Sequence, residues 1–347
     1  MGDTFNKGSG DIAYPAASPF LSTGFVSWYV DPSDYKMPYS DQWNVGIEQG
    51  LGSNIVLSLS YVGSHDLRLN QGGQANTDPT PGPVATEAMR QPYPYIPATF
   101  YDRSVGQSKY NSFQFRLRQR ASRGLTYIIS YTRSKSMDTG CSGSFGAEGC
   151  ETQFPYDTNK DRSVSGFDLP NIFSGSFVYD IPVAADKSFS THRRALDYVI
   201  GNWQVGGILT LHSGSPFDVT VTNGDTAGTG NVVERANLLL SDAYASGQGP
   251  LVYLNPAAFG VPPLKTYGNL GRNSLRTPSF HNLDLSLTRR FPIKEHANLE
   301  FRADVFNVSN SVVFGQPNST LGNANFGVIT STANTERQIQ FSMKLLF

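Results

Sequence analysis

The stretch that decides the fold is the segment at 337–347, which reads RQIQFSMKLLF. One parity of this segment is apolar, and its members are Ile339, Phe341, Met343, Leu345 and Phe347. The other parity is mostly polar. A two-residue repeat is typical of a β-strand with one apolar face, and about 9–11 residues let a tilted strand cross a bilayer. The segment therefore predicts either a membrane-spanning strand or the last strand of a soluble sandwich.

Eight further segments alternate in the same way, at 43–48, 55–62, 113–120, 125–132, 173–181, 203–211, 282–288 and 298–305. With the terminal segment they predict about nine long strands in an antiparallel meander. Charged residues collect on the polar parity, where the candidates for lumen-facing positions are Arg116, Arg118, Asp284, Glu300, Arg302 and Asp304. An Arg or Lys that faces lipid at mid-membrane costs roughly 2–4 kcal/mol, so we expect these side chains to face a polar interior.

The connections between the segments alternate in length. Short connections lie at 50–53, 122–124 and 292–296. Long connections rich in Gly, Pro and Asn lie at 64–108, 137–169, 223–277 and 310–336, and one of intermediate length, at 183–200, contains a predicted helical turn. Loops above about 12–15 residues are uncommon in a compact soluble domain, whereas an outer-membrane barrel has short periplasmic turns and long extracellular loops. A soluble sandwich explains the alternation of residues but not this asymmetry.

Composition excludes several classes of function. The chain has 347 residues, 16% charged and 12% aromatic, with a formal charge of −1. It contains no run of 18 apolar residues, so no transmembrane helix is expected, and no basic block, so nucleic-acid binding is unsupported. Motifs for catalysis, cofactors or metals are absent. The pattern Asp157-x-Asn159-x-Asp161, with Asp168 at the twelfth place, resembles a calcium loop. However, Arg162 stands where that loop needs Gly and Asp168 where it needs Glu, and we favour a structural turn.

Cys141 and Cys150 are the only cysteines, and they lie nine positions apart in a Gly/Ser-rich stretch. In an oxidising compartment they are expected to close a small disulfide loop, which would stabilise the fold by roughly 2–3 kcal/mol. The alternative is a pair of free thiols.

Several stretches spread over residues 39–347 together suggest a known family. They are YSDQWN (39–44), YVGS (61–64), DRSVSGFD (161–168), NW (202–203), SGSPF (213–217), LNPAAF (254–259), GNLGRN (268–273), FRADVFNVSN (301–310) and FGVITS (326–331). By their order and spacing the chain resembles the C-terminal part of TonB-dependent outer-membrane receptors of the Oar-like group. The terminal strand, with Phe341, Met343, Leu345 and Phe347, also resembles the C-terminal signal of bacterial outer-membrane barrels.

The resemblance implies a location in the bacterial outer membrane and import of an unidentified ligand. Its implied partners are outer-membrane lipid, the barrel-assembly machinery, TonB and the remainder of the receptor. Such a receptor is a 22-stranded barrel around a plug, and nine strands are too few for one. The first ten residues also lack the pattern of a secretory signal. We therefore expect 41–347 to be a C-terminal partial barrel without plug or earlier strands, and 1–40 to be the remnant of an extracellular loop.

The loops at 64–108, 137–169 and 223–277 are expected to make most of the extracellular contacts. The aromatic candidates for ligand contact there, chosen by residue type only, are Tyr93, Tyr95, Phe100, Tyr101, Tyr156 and Tyr253. Large aromatics on exposed loops suit recognition, but many are expected merely to pack the loops together. Two alternatives remain open at this point. One is a soluble exported β-sandwich that binds carbohydrate or a surface partner, and the other is a small autonomous barrel that acts as an adhesin or a passive pore.

Overall fold

A computed structural model describes residues 27–30, 35–92, 99–140, 152–183, 201–222, 224–231, 234–294 and 297–347. Its main elements are nine long strands, namely β1 Tyr39–Leu51, β2 Ile55–Ala75, β3 Thr99–Ser122, β4 Leu125–Asp138, β5 Asn171–Asp180, β6 Trp203–His212, β7 Phe280–Lys294, β8 Ala297–Phe306 and β9 Gln338–Leu346. Cys141, Cys150 and the helical turn predicted near residue 193 lie outside the described residues.

The nine strands form one sheet in which each strand is hydrogen-bonded to its sequence neighbours, from β1 at one edge to β9 at the other. All of these pairings are antiparallel. The meander predicted from the alternating segments is therefore confirmed. A sandwich would bury Phe113, Phe177 and Phe341 between two sheets, but all three side chains are exposed.

Strand register separates an apolar face from a polar face. Tyr127, Phe177 and Gly207 lie side by side across β4 to β6, and the same row continues through Leu285 and Val305 to Ile339. We call the side of the sheet that carries this row the apolar face. The opposite side, the polar face, carries rows such as Thr288, Arg302 and Ser342. Because neighbouring residues on a strand point to opposite sides, the period of two in the sequence becomes two chemically different surfaces.

The short connections end the sheet on one side, the turn side. Ser122 pairs with Leu125 around Arg123 and Gly124, whose φ angles are +51° and +80°. Positive φ at both central residues is typical of a type I′ turn, which glycine adopts without strain and which suits the right-handed twist of a hairpin.

The long connections lie at the opposite end, the loop side, and contain short elements of their own. Their strands are Ser163–Val164, Pro216–Phe217, Thr220–Val221, Asn237–Leu238, Tyr244–Gly249, Val252–Leu254, Phe259–Gly260, Leu275–Arg276 and Thr320–Leu321. A further short strand, Ser27–Val30, precedes β1 and pairs in parallel with the start of β3. The helical pieces are Glu87–Arg90 and the 3₁₀ turns Val84–Thr86, Thr158–Asp161 and Pro256–Ala258. Among the described residues, no helix has the length and hydropathy needed to cross a membrane.

Strands β2 and β3 extend well into the segment predicted to be a loop at 64–108. β2 has 21 residues and β3 has 24, so their connection spans only 76–98. The extension was missed because the β2–β3 register shifts on both sides of Leu69, and Arg68 takes a φ of +58°. Such bulges shift the side-chain parity, and this disruption conceals a strand from a search for alternation.

Trp43 covers a glycine on the neighbouring strand, because its indole ring occupies the space into which a Cβ of Gly63 would project. Gly63→Ala is therefore expected to displace the ring and to lower the free energy of unfolding by about 1 kcal/mol. The measurement is thermal unfolding in detergent, together with Trp43 fluorescence in a background that carries Trp28→Phe and Trp203→Phe.

Gly46→Ala on β1 is the matched control for this change. A Cβ there would lie 3.5 Å from its nearest neighbours, Leu59 O and Ser60 Cβ, which is an ordinary contact. Equal losses of stability in the two variants would contradict the role assigned to the Trp43 ring.

Candidate functional site

The described apolar core lies on the loop side rather than between the long strands. It comprises Phe217, Val219, Ala236, Ala243, Tyr253, Leu254, Ala258, Phe259, Leu270, Leu275 and Ile329. The connection between β6 and β7 supplies most of it, and the connection between β8 and β9 joins it through Ile329 and through the edge-to-face contact of Phe326 with Phe259, at 5.5 Å. We call this packed unit, residues 214–277 and 310–336, the loop assembly.

Backbone hydrogen bonds fix the two connections to each other. Tyr253 N donates to Gly327 O at 2.9 Å, and Ile329 N donates to Pro250 O at 2.7 Å. Asn255 caps the following 3₁₀ turn by accepting from Ala257 N at 3.2 Å, and that turn directs Ala258 into the core. The long connections are thus a folded surface and not a set of independent loops.

Three arginine–aspartate pairs attach the loop assembly to the end of β4 and to the connection that follows β4. Arg235 pairs with Asp161 at 2.7 Å with both side chains at most 2% exposed, and Arg276 pairs with Asp168 at 2.5 Å. Arg272 pairs with Asp138, the last residue of β4. Buried pairs lose hydration, so each requires close geometry and further hydrogen bonds to remain favourable. Arg272 Nε also donates to Asp161 O at 2.9 Å, and Asn273 Nδ2 donates to Val164 O at 2.9 Å, so the two family-like stretches 161–168 and 268–273 are in contact.

The same contacts account for two of the three carboxylates of the calcium-like pattern, Asp161 and Asp168. Asp161 accepts from Phe154 N at 3.0 Å as well as from Arg235, and Asp168 accepts from Ser136 N at 2.6 Å as well as from Arg276. Both side chains are therefore used within the protein, as expected for a structural turn. In the part of the chain that is described, no group of three or more acidic, His or Cys side chains could hold a metal ion.

A cavity of about 310 Å³ opens on the loop assembly. Its buried floor includes Ala243, Leu270 and Leu275, and its exposed rim includes Asp242 and Ser274. The volume is at the lower end of the range of small-molecule pockets, and an apolar floor below a few polar groups is the usual lining of such sites.

The nine-stranded meander, with one apolar and one polar face and its long connections on one side, can be compared with known proteins. The family model described as "Outer membrane beta barrel domain" matches residues 3–340. The chain belongs to this outer-membrane β-barrel family. The barrel therefore lies in the bacterial outer membrane, and the resemblance seen in the sequence is confirmed at this level.

Solved structures with a similar fold include the outer membrane transporter YddB from Escherichia coli, at 15% identity and a TM-score of 0.51, covering 94% of this chain and 34% of that one. BauA, the ferric preacinetobactin receptor from Acinetobacter baumannii, is 11% identical with a TM-score of 0.43, covering 88% and 29%. The pyoverdine receptor FpvA from Pseudomonas aeruginosa is 14% identical with a TM-score of 0.40, covering 89% and 30%. The chain thus spans about a third of the length of these proteins. No curated protein matches it.

The residues predicted to face a lumen all lie on the polar face of the barrel strands, by the register of Arg116, Arg118, Asp284, Glu300, Arg302 and Asp304. Three of them take part in direct ion pairs, Glu300 with Arg290 at 2.8 Å and Arg302 with Asp304 at 2.9 Å. That this face lines a water-filled lumen stays a prediction.

The aromatic candidates for ligand contact differ in their exposure to solvent. Tyr156 is partly exposed and donates to Thr77 O at 2.6 Å. Tyr253 is only 6% exposed and donates to Arg276 O at 3.0 Å, so its prediction as a surface contact is wrong. Its ring packs in the core, and burial raises its pKa to about 12. Tyr93 and Tyr95, and the side chains of Phe100 and Tyr101, lie outside the described residues.

Sequence reasoning missed several exposed apolar side chains on the loop side, including Phe167, Leu239, Leu251 and Leu264. Phe167 belongs to the family-like stretch 161–168, and Leu239 belongs to a leucine run inside a polar connection. A search for apolar residues within polar connections would have found both positions.

Two carboxyl groups of the loop assembly make its stability depend on pH. Burial raises the pKa of Asp218 and Glu234, although backbone N–H donors from Asn273 to the former and Gly268 to the latter act in the opposite direction. A raised carboxyl pKa means that the folded state binds the proton more tightly than the unfolded state. Lowering the pH from neutral through the raised pKa should therefore stabilise the assembly, and the gain is complete below the ordinary carboxyl pKa.

The measurement is amide hydrogen exchange, corrected for the intrinsic pH dependence, at Gly268 and Ala227, whose N–H groups donate to Glu234. Protection is expected to rise as the pH is lowered from neutral toward the ordinary carboxyl pKa. The double variant Asp218→Asn, Glu234→Gln should show a flatter profile. An unchanged slope in that variant would assign the pH dependence to other groups.

Proposed function

We propose that the chain forms part of the wall of a TonB-dependent outer-membrane transporter, together with much of its ligand-facing surface. The observation that carries the proposal is a sheet with one lipid-compatible face whose long connections fold into a single surface at one end. Barrels with this division place the long connections outside the cell and the short turns in the periplasm. The loop assembly would then meet the ligand before the wall does.

In this arrangement residues 41–347 are the C-terminal part of a larger barrel, and residues 1–40 are the end of an extracellular loop. The partners that follow are outer-membrane lipid at the apolar face, the barrel-assembly machinery during insertion, and the rest of the receptor, through which TonB would act. The cavity above Leu270 and the exposed Phe167 are the candidate ligand contacts, and the role is one of binding and passage without catalysis.

The test compares cells that carry the gene with cells from which it is deleted. Both strains are grown in the same complex medium, and mass spectrometry follows which solutes disappear from it. We expect at least one solute to be depleted only when the gene is present, and this depletion to stop when TonB is removed or the proton gradient is collapsed.

A passive pore is the alternative that this experiment separates. Depletion that persists without TonB, together with steady conductance of the purified chain in a planar bilayer, would replace the proposal with a passive pore. If the chain is monodisperse without detergent, the membrane placement of its apolar face is wrong.

A further inference from the structure

Three arginines follow one another in a row on β3. Arg116 and Arg118 lie on the polar face by their register, and Arg120 follows two residues later, where the β3–β4 register shifts between Gln119 and Ser122. Arg116, Arg118 and Arg120 repeat every second residue, which places neighbouring members about 7 Å apart along the strand. All three side chains are exposed. Within the described residues, none of them makes an ion pair or a side-chain hydrogen bond.

The residues of β2 and β4 that lie directly opposite Arg116 and Arg118 carry no negative charge. Arg116 faces Ser58 and Ser130, and Arg118 faces Val56 and Ile128.

On the polar face of β1 to β5, as far as these strands are described, the acidic side chains nearest the row are Glu48 and Asp180, and both have other partners. Ser58 Oγ donates to Glu48 at 3.2 Å, and Gln204 Nε2 donates to Asp180 at 2.8 Å. Asp66 and Asp138 lie on the same face, nearer the loop side. Like charges held side by side repel one another, so the row favours an external counter-charge.

The polar face of β7 to β9 is different, because its charges balance. Three basic residues are matched there by three acidic ones: Arg290, Arg302 and Lys344 with Asp284, Glu300 and Asp304. Two ion pairs join them directly. The polar face, as far as it is described, therefore has balanced charges on β7 to β9, and positive charges without an ion-pair partner on β3.

We propose that Arg116, Arg118 and Arg120 bind one small polyanion that carries two or more phosphate or carboxylate groups. A guanidinium group offers a planar pair of N–H donors that fits such oxygens in a bidentate manner, and a row of them can engage successive acidic groups of one solute. The proposal rests on the polar face lining a water-filled interior, as in the proposed function. It adds the chemical class of solute that this wall retains.

The test uses the full chain refolded in a neutral detergent, with its strand content checked by circular dichroism. Isothermal titration at low salt measures binding of tripolyphosphate, with inorganic phosphate as the single-group probe. We expect tripolyphosphate to bind at least tenfold more tightly than phosphate and to weaken as salt is raised. Equal affinities for the two probes would contradict a row that acts as a unit.

Variants locate the site. The triple change Arg116→Gln, Arg118→Gln, Arg120→Gln is expected to weaken tripolyphosphate binding at least tenfold, and the corresponding triple Lys variant should retain much of it. The matched control is Arg290→Gln with Arg302→Gln, which removes two paired charges and should leave the affinity within about twofold. If the control loses as much affinity as the triple Gln variant, or if wild type does not bind, the proposal is wrong.

These outcomes are separable from failure of the transporter role. A chain that binds tripolyphosphate through these arginines but shows no TonB-dependent uptake retains the anion site and loses the import function. A chain that imports its ligand normally after the triple Gln change retains the import function and assigns the row no part in it.

Discussion

Replacing Phe341 with arginine is expected to lower the free energy of unfolding in a lipid bilayer by roughly 2–4 kcal/mol. Phe341 lies near the middle of β9, is 69% exposed on the apolar face, and stacks on Phe301 with ring centroids 6.2 Å apart. An arginine there would place its guanidinium in hydrocarbon, with its hydration removed and no acidic side chain opposite, since the facing residue is Ala303.

The matched control is Gln340→Arg on the adjacent position of the same strand. Gln340 lies on the polar face opposite Asp304, so the new charge would be hydrated and near an acid. We expect a change below about 0.5 kcal/mol. Both variants are measured by urea titration of the chain in phospholipid vesicles, followed by tryptophan emission. Similar effects at the two positions would mean that the apolar face does not contact lipid.

Arg235→Ala is expected to open the loop assembly at a cost of about 3–5 kcal/mol in local stability. The change leaves the buried Asp161 without its cation and removes a hydrogen bond from Arg235 Nε to Leu270 O at 2.9 Å. The loss is large because the orphaned carboxylate remains in a dry site, and the pair itself contributes less than its removal costs.

Arg290→Ala is the control for an exposed pair. Its partner is Glu300, but the Arg290 side chain is 68% exposed, so we expect a loss below about 1 kcal/mol. Amide exchange in the segment 234–276 reports on the loop assembly, and limited proteolysis there should become faster only in Arg235→Ala. If Arg235→Ala leaves exchange unchanged, the buried pairs do not hold the assembly in place.

The strands of the barrel wall could be predicted from the sequence because the alternation of apolar and polar residues is a local pattern. Alternation over a few residues identifies each strand, and short connections such as 122–124 fix which strands are neighbours. The same parity places Arg116 and Asp304 on the polar face without any knowledge of tertiary contacts. The pattern fails where a bulge shifts the parity, as at Arg68, and there the strands were predicted too short.

The loop assembly could not be predicted because its contacts are distant in sequence. Leu254 and Ile329 share a core although β7 and β8 lie between them, and the pairing of Arg272 with Asp138 spans 134 residues. The family-like stretches contain residues from both partners of several of these contacts, but nothing in the sequence indicates that the two stretches lie next to each other. Tyr253 shows the consequence, since an aromatic in a polar connection gives no indication of whether it packs inward.

The length of β2 and β3 has a consequence for how a solute arrives. A bilayer needs about 9–11 residues of a tilted strand, so these two strands have at least ten residues to spare. At about 3.3 Å per residue, and allowing for strand tilt, the surplus residues would extend some 25–30 Å beyond the bilayer on the loop side. A diffusing molecule would then first contact the ends of these extended strands, well away from the membrane surface, before it reached the entrance of the pore.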